Sequence, residues 1–181
     1  MARFLIPAIL LLISVPSVAA EFRVTSPVLK ENGRIDSQQV YSGFGCTGAN
    51  ISPELHWEGA PAETKSFAVT VFDPDAPGSG WWHWLIFDIP ASEHQLAADS
   101  GNLKSGPAPK LGVQSPTDFG QPGYGGPCPP AGDKPHRYFF SVYALRVEHL
   151  PVKPDSPGAV VALSLNQNAL KKAQIVSVYG R

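Results

Sequence analysis

Residues 66–89 read SFAVTVFDPDAPGSGWWHWLIFDI, and this stretch decides the fold. Two runs rich in Val, Ile, Phe and Trp, residues 66–73 and 81–89, flank a segment of Pro, Gly, Ser and Asp. β-Branched and aromatic side chains suit a pleated surface, whereas Asp-Pro-Asp-Ala-Pro is turn chemistry. The stretch therefore predicts two strands that run antiparallel about residues 74–80. Successive side chains on a strand face opposite sides. By that parity Asp73 shares a face with Phe67, Val69 and Val71, and His83 shares one with Leu85, Phe87 and Ile89. The connection brings Asp73 and His83 to the same end of the sheet.

A third strand is predicted over residues 136–147, where His136 and Tyr138 share a face with Phe140, Val142 and Ala144. Each of the three strands thus carries an ionisable or hydroxyl-bearing side chain at one end of an apolar face. Burying such groups costs several kcal/mol unless each finds a partner, so they are expected to converge. Asp73, His83, His136 and Tyr138 then ring one mouth of the core, in a small cavity with two imidazoles, a carboxylate and a phenol. Such a cavity can donate hydrogen bonds to an anion such as phosphate, or accept an ammonium at Asp73. Asp75 is assigned to the turn, and Arg137, on the opposite face from His136, to a carboxylate partner. Trp81, Trp82 and Trp84 are assigned to packing, and His56, His94 and His149 to no role.

Away from these strands, 19 Pro and 17 Gly punctuate short apolar runs. Weaker strands are expected near residues 22–26 and 175–179, and residues 101–135 read as a long Gly/Pro-rich loop with one short strand inside it. One segment reads as helix. Asp155-Ser156-Pro157 supplies a capping residue and a proline for the first helical position. Val161, Leu163, Leu165, Ala169 and Leu170 are expected to form its buried stripe, through Lys172. The chain reads as one mainly β domain over residues 21–181.

Residues 1–20 carry an early Arg3, an apolar run from Phe4 to Val15, and small residues at Ser17-Val18-Ala19-Ala20. That is the pattern of a secretory signal peptide, too short to span about 30 Å of hydrocarbon. No Cys follows the cleavage site to take a lipid, and no later segment is apolar enough to cross a bilayer. A periplasmic or secreted protein follows. In that oxidising setting the two cysteines, Cys46 and Cys128, favour a disulfide over free thiols. The formal charge is −1 with no basic run, which argues against nucleic acid as a partner. No close metal-ligand cluster, Gly-x-Ser-x-Gly elbow or phosphate-binding loop is present, so neither a metal, a cofactor nor an enzymatic role is expected.

The motifs Asp73-Pro74-Asp75-Ala76-Pro77, Trp81-Trp82-His83-Trp84-Leu85, Pro129-Pro130 and His136-Arg137-Tyr138 resemble those of the phosphatidylethanolamine-binding protein family. The stretch GFGCTGANISP over residues 43–53 resembles its bacterial YbhB/YbcL branch, also called Raf-kinase-inhibitor-like. The resemblance spans residues 22–181. It implies two antiparallel β-sheets with Greek-key features, a short helix near the C-terminus, and an anion pocket formed by Asp73, His83, His136, Tyr138 and Pro130. It implies as ligand an anionic or phosphorylated small molecule or a phospholipid head group. A protein partner outside the cytoplasm, bound by an inhibitor-like protein, is the alternative. Two departures stand out. Many eukaryotic members have two adjacent histidines where this chain has Trp82-His83, which implies a pocket one imidazole poorer at its rim. Cys128 replaces a common glycine, and pairing with Cys46 would staple residues 43–53 against the mouth.

Overall fold

The computed structural model describes residues 21–104 and 111–181. The expected signal peptide, residues 1–20, lies outside the described residues. The 66–89 stretch forms the antiparallel pair that its sequence predicts. Taken in chain order, the first four strands are β1 (Arg23–Thr25), β2 (Ser42–Gly43), β3 (Cys46–Thr47) and β4 (Leu55–Glu58). Then come β5 (Ser66–Asp73), β6 (Trp81–Pro90), β7 (Gln95–Leu96), β8 (Val113–Gln114) and β9 (His136–Leu145). The helix α1 (Gly158–Asn168) and the last strand β10 (Ala169–Tyr179) follow.

A five-stranded sheet has the order β10-β9-β5-β6-β8, a three-stranded sheet the order β1-β4-β7, and β2-β3 is a separate hairpin. All these pairings are antiparallel. Within the larger sheet, β9 returns to lie beside β5, so β5, β6, β8 and β9 stand in the 4-1-2-3 order of a Greek key.

Two apolar layers hold this together. Between the sheets, Phe67, Val69, Trp84, Ile86 and Phe140 meet Leu55, Trp57 and Leu96. On the other face of the large sheet, Leu85, Phe87 and Leu145 pack with Val161 and Leu165 of α1. Each such side chain, buried in full, contributes roughly 1.5–3 kcal/mol.

The parity expected for β6 is corrected by two β-bulges. Val71 pairs with Trp84 and Phe72 with Trp82, so His83 is an extra residue. A second irregularity falls between the Ile86 and Ile89 pairings, where Asp88 has φ 61°. In consequence Trp84, Ile86 and Ile89 face the inter-sheet core, while Leu85 and Phe87 face the helix. Each bulge shifts the alternation by one residue, which no strict period of two anticipates.

The helix is shorter than predicted. Pro157 is extended (ψ 151°) and occupies the cap position without a side-chain hydrogen bond, while the Ser156 hydroxyl accepts from the Lys153 N–H instead. Its stripe is confined to Val161 and Leu165, and Leu163 is 60% exposed. The stretch from Ala169 to Lys172 is strand, pairing with Leu145, Ala144 and Tyr143 of β9. A ladder to a buried neighbour outweighs the small helix preference of Ala, Leu and Lys at these positions.

Candidate functional site

The site is built at the corner where β5 ends and β9 begins. The Oδ1 of Asp73 accepts the backbone N–H groups of Asp75 (2.8 Å) and Ala76 (3.1 Å), which closes the turn after β5. Its Oδ2 accepts from Nδ1 of His136 at 2.8 Å. Asp75 accepts from the Arg137 backbone N–H (2.9 Å), its Nε (2.9 Å) and its NH2 (2.7 Å). The guanidinium holds the Asp75 carboxyl down at about 2. Two carboxylates of one turn therefore grip two successive residues of β9, one from each side, and Asp75 and Arg137 take the roles their sequence predicts.

His83 reaches the same corner through its bulge. Its Nδ1 donates to the Gly125 carbonyl at 2.7 Å, and the Gly125 N–H returns a bond to the His83 carbonyl at 2.9 Å. Burial pushes this imidazole below its ordinary range, partly offset by the Gly125 bond and the Asp73 charge. The ring meets Tyr138 edge-on at 5.2 Å. Tyr138 is fully buried, and its hydroxyl lies near the Asp73 carboxylate but meets no partner at hydrogen-bond distance among the described residues. Burial, then the Asp73 charge, pushes the phenol up, so it stays a neutral donor.

These four side chains and Pro130 line one cavity of about 190 Å³. All five residues singled out in the sequence are thus brought together. Phe44, Phe119, Trp81, Ala76, Pro77 and Pro129 complete its walls. Among the described residues no Lys or Arg side chain lines it. Trp81, assigned above to packing, is a wall residue. Trp82 is not, because it lies on the helix side against Phe72 (4.4 Å) and under Gly158. Replacing a histidine at position 82 therefore removes nothing from this rim, which corrects the expectation of a pocket poorer by one imidazole.

The mouth is held by the β2–β3 hairpin. Phe44 and Gly45 have φ 52° and 82°, the two positive values of a type I′ turn. This places Phe44, 71% exposed, at the hairpin tip, where it stacks on Phe119 at 6.0 Å. The Cys46–Cys128 disulfide joins the hairpin to the cavity wall, with Cα atoms 6.0 Å apart. Arg181 adds a second tie, donating to the carbonyls of Pro129 (2.7 Å), Gly45 (3.0 Å) and Phe44 (3.2 Å). Sequence reading missed Phe44, Phe119 and Arg181, because each reaches the mouth only through long-range contacts. The one available signal was that Phe44 sits in a Gly-Phe-Gly turn and Phe119 in the long loop.

Among the described residues, no group of three or more His, Cys, Asp or Glu is placed to hold a metal ion. None of their helices is long and apolar enough to cross a membrane.

Residues 25–180 match the family model described as phosphatidylethanolamine-binding protein. The chain is 48% identical over 180 residues to the UPF0098 protein YbcL of Escherichia coli, covering 99% of this chain and 98% of that one. It is 41% identical over 159 residues to YbhB of the same organism (87% and 99% covered). It is also 36% identical over 165 residues to LppC of Mycobacterium tuberculosis, a protein named as a lipoprotein (91% and 75% covered). The crystal structure of Escherichia coli YbcL superposes with a TM-score of 0.86 at 50% identity, covering 90% of this chain and 99% of that one. With a family-model match over residues 25–180, antiparallel sheets and one short helix among the described residues, the chain belongs to the phosphatidylethanolamine-binding proteins.

Proposed function

We propose that this is an exported binding protein whose cavity at Asp73, His83, His136 and Tyr138 holds an anionic or phosphorylated small molecule or a phospholipid head group. One observation carries the reading: four polar side chains from three strands converge on one cavity, and the Tyr138 hydroxyl there is buried without a partner. A buried, unpartnered donor costs about 1–3 kcal/mol, which a bound acceptor would recover. Among the described residues no Ser, Thr, Lys or free Cys side chain lines the cavity, which favours a binding role over catalysis. Pro130 acts as wall. A periplasmic or secreted location rests on the pattern of residues 1–20, and a relative named as a lipoprotein supports an envelope setting.

The test is a thermal-shift screen against phosphate, phosphorylated metabolites and phospholipid head groups, with His136→Ala alongside. A ligand at 100 times its dissociation constant adds roughly 2.7 kcal/mol. Stabilisation of the wild type that the variant loses is the expected result. His136→Ala loses the bond to Asp73 and is expected to melt lower, so each ligand shift is read against the unliganded melt of the same protein.

A protein partner is the second reading, favoured by Phe44, an aromatic side chain 71% exposed on a tethered hairpin tip. Absence of stabilisation by every anion would move the assignment to that surface.

A further inference from the structure

We propose that the Cys46–Cys128 disulfide is a reversible latch, opened by a dithiol that attacks Cys128 and so frees the tip of the β2–β3 hairpin. The proposal concerns the hairpin alone and stands whether or not the cavity binds an anion.

The hairpin cannot hold itself. Its ladder has two residue pairs, Ser42 with Thr47 and Gly43 with Cys46, and neither strand joins another sheet. Even a longer hairpin in isolation is marginally stable in water. The base is fixed through the backbone. The Tyr41 N–H donates to the Pro127 carbonyl (3.1 Å), the Gly48 N–H to Tyr41 (3.0 Å) and the Ala49 N–H to Ser37 (3.1 Å). Gly48 is packed so closely that an added Cβ would collide with the Val40 carbonyl. Beyond this base the tip, residues 42–47, is tied by the disulfide, by two exposed Arg181 bonds to Phe44 and Gly45, and by ring stacking of Phe44. Exposed bonds compete with water and hold weakly, so the covalent tie decides whether the tip is fixed.

The two sulfurs differ in access. Cys46 is buried, whereas Cys128 is partly exposed in the wall of the open cavity. An incoming thiolate therefore meets Cys128 first. Its sulfur bonds to Sγ of Cys128, the bond to Cys46 breaks, and Cys46 leaves as a thiolate that takes a proton from water. The second thiol of the dithiol then displaces Cys128 and closes the reductant's own disulfide. The protein gains two electrons and two protons, and the dithiol loses them. The Arg181 guanidinium, bonded to the carbonyl of the residue before Cys46, favours negative charge on the leaving sulfur. Cys128 lies in Pro127-Cys128-Pro129-Pro130, whose fixed φ values hold the wall, so the hairpin is the side that moves. Release carries Phe44 off Phe119 and away from the mouth.

The experiment follows amide hydrogen exchange by mass spectrometry in the disulfide-bonded protein and after dithiothreitol. Amides of residues 42–47 are expected to exchange at least about tenfold faster on reduction, with β5 and β9 unchanged. Reoxidation is expected to restore slow exchange. An unchanged tip overturns the proposal, because the other ties then suffice. Faster exchange throughout β5 and β9 overturns it as well, since the bond would then be a staple of the whole fold. The attacked sulfur is read separately, by brief reaction with glutathione, an iodoacetamide quench and peptide mass analysis. Glutathione on Cys128 with alkylated Cys46 is expected, and the reverse pattern overturns the assignment of Cys128. The Cys46→Ser/Cys128→Ser variant repeats the exchange measurement without reductant. A tip as mobile as in the reduced wild type is expected, and a protected tip overturns the latch.

Discussion

The Nδ1 of His136 lies 2.8 Å from Oδ2 of Asp73, joining the first residue of β9 to the last residue of β5. Both are buried, at 5% and 2% exposure. The pair therefore does two things at once: it closes the corner of the sheet, and it fixes the orientation of an imidazole that lines the cavity.

Asp73→Ala removes the acceptor for three donors: the N–H groups of Asp75 and Ala76 and Nδ1 of His136. Breaking a buried pair of this kind costs about 3–5 kcal/mol. The Asp73→Ala/His136→Ala double variant is expected to lose less than the sum of the single losses, because one interaction is removed twice. Urea denaturation of the four proteins gives the coupling, and strict additivity would sink the claim.

The depressed basicity of His83 makes stability depend on pH. Below its unfolded value of about 6.5 the unfolded chain binds a proton that the folded chain refuses. This contribution to stability is thus constant above about pH 6.5 and falls as pH drops toward the lower folded value, by at most about 1.4 kcal/mol per pH unit. His83→Gln is expected to show a shallower loss between pH 6.5 and 5 in thermal melts. Parallel curves would remove His83 as the cause. For the same reason, any gain in anion affinity from a charged His83 sets in at a lower pH than an ordinary histidine would give.

Cys46 and Cys128 close a loop with a sequence separation of 82 residues. Replacing both by Ser is expected to lower stability by roughly 4–5 kcal/mol on the chain-entropy model. Guanidinium titration of oxidised wild type and double variant measures it. A difference under about 1 kcal/mol would mean that the unfolded chain is already constrained in other ways.

The shortened helix gives a contrast within one turn. Leu165 is fully buried against Leu85 and Leu145, whereas Leu163 is 60% exposed. Leu165→Ala is expected to cost about 2–5 kcal/mol and Leu163→Ala about 0.5 or less. Equal losses from the two would contradict the helix register.

Much of the site was legible along the chain. Alternation on β5 and β9 put Asp73, His136 and Tyr138 at the end of a buried face, and all three are buried in the structure. The motifs named the family, since each is a short continuous run. His83 was assigned to the cavity on a parity that the structure overturns. It reaches the cavity because a bulge inserts it, and a bulge is a property of two paired strands rather than of one.

The sequence by itself determined the mainly β class, the turn at residues 74–80, the family, and the identity of the polar residues in the cavity. All of these are encoded by local periodicity, turn chemistry and contiguous motifs. Only the tertiary structure decided where the helix gives way to strand at Ala169, that Trp82 faces α1 while Trp81 faces the cavity, and that Phe44, Phe119 and Arg181 meet at the mouth. Those outcomes depend on which partner a segment finds across the fold, and long-range pairing and burial outweigh the small intrinsic preferences that a single chain position carries.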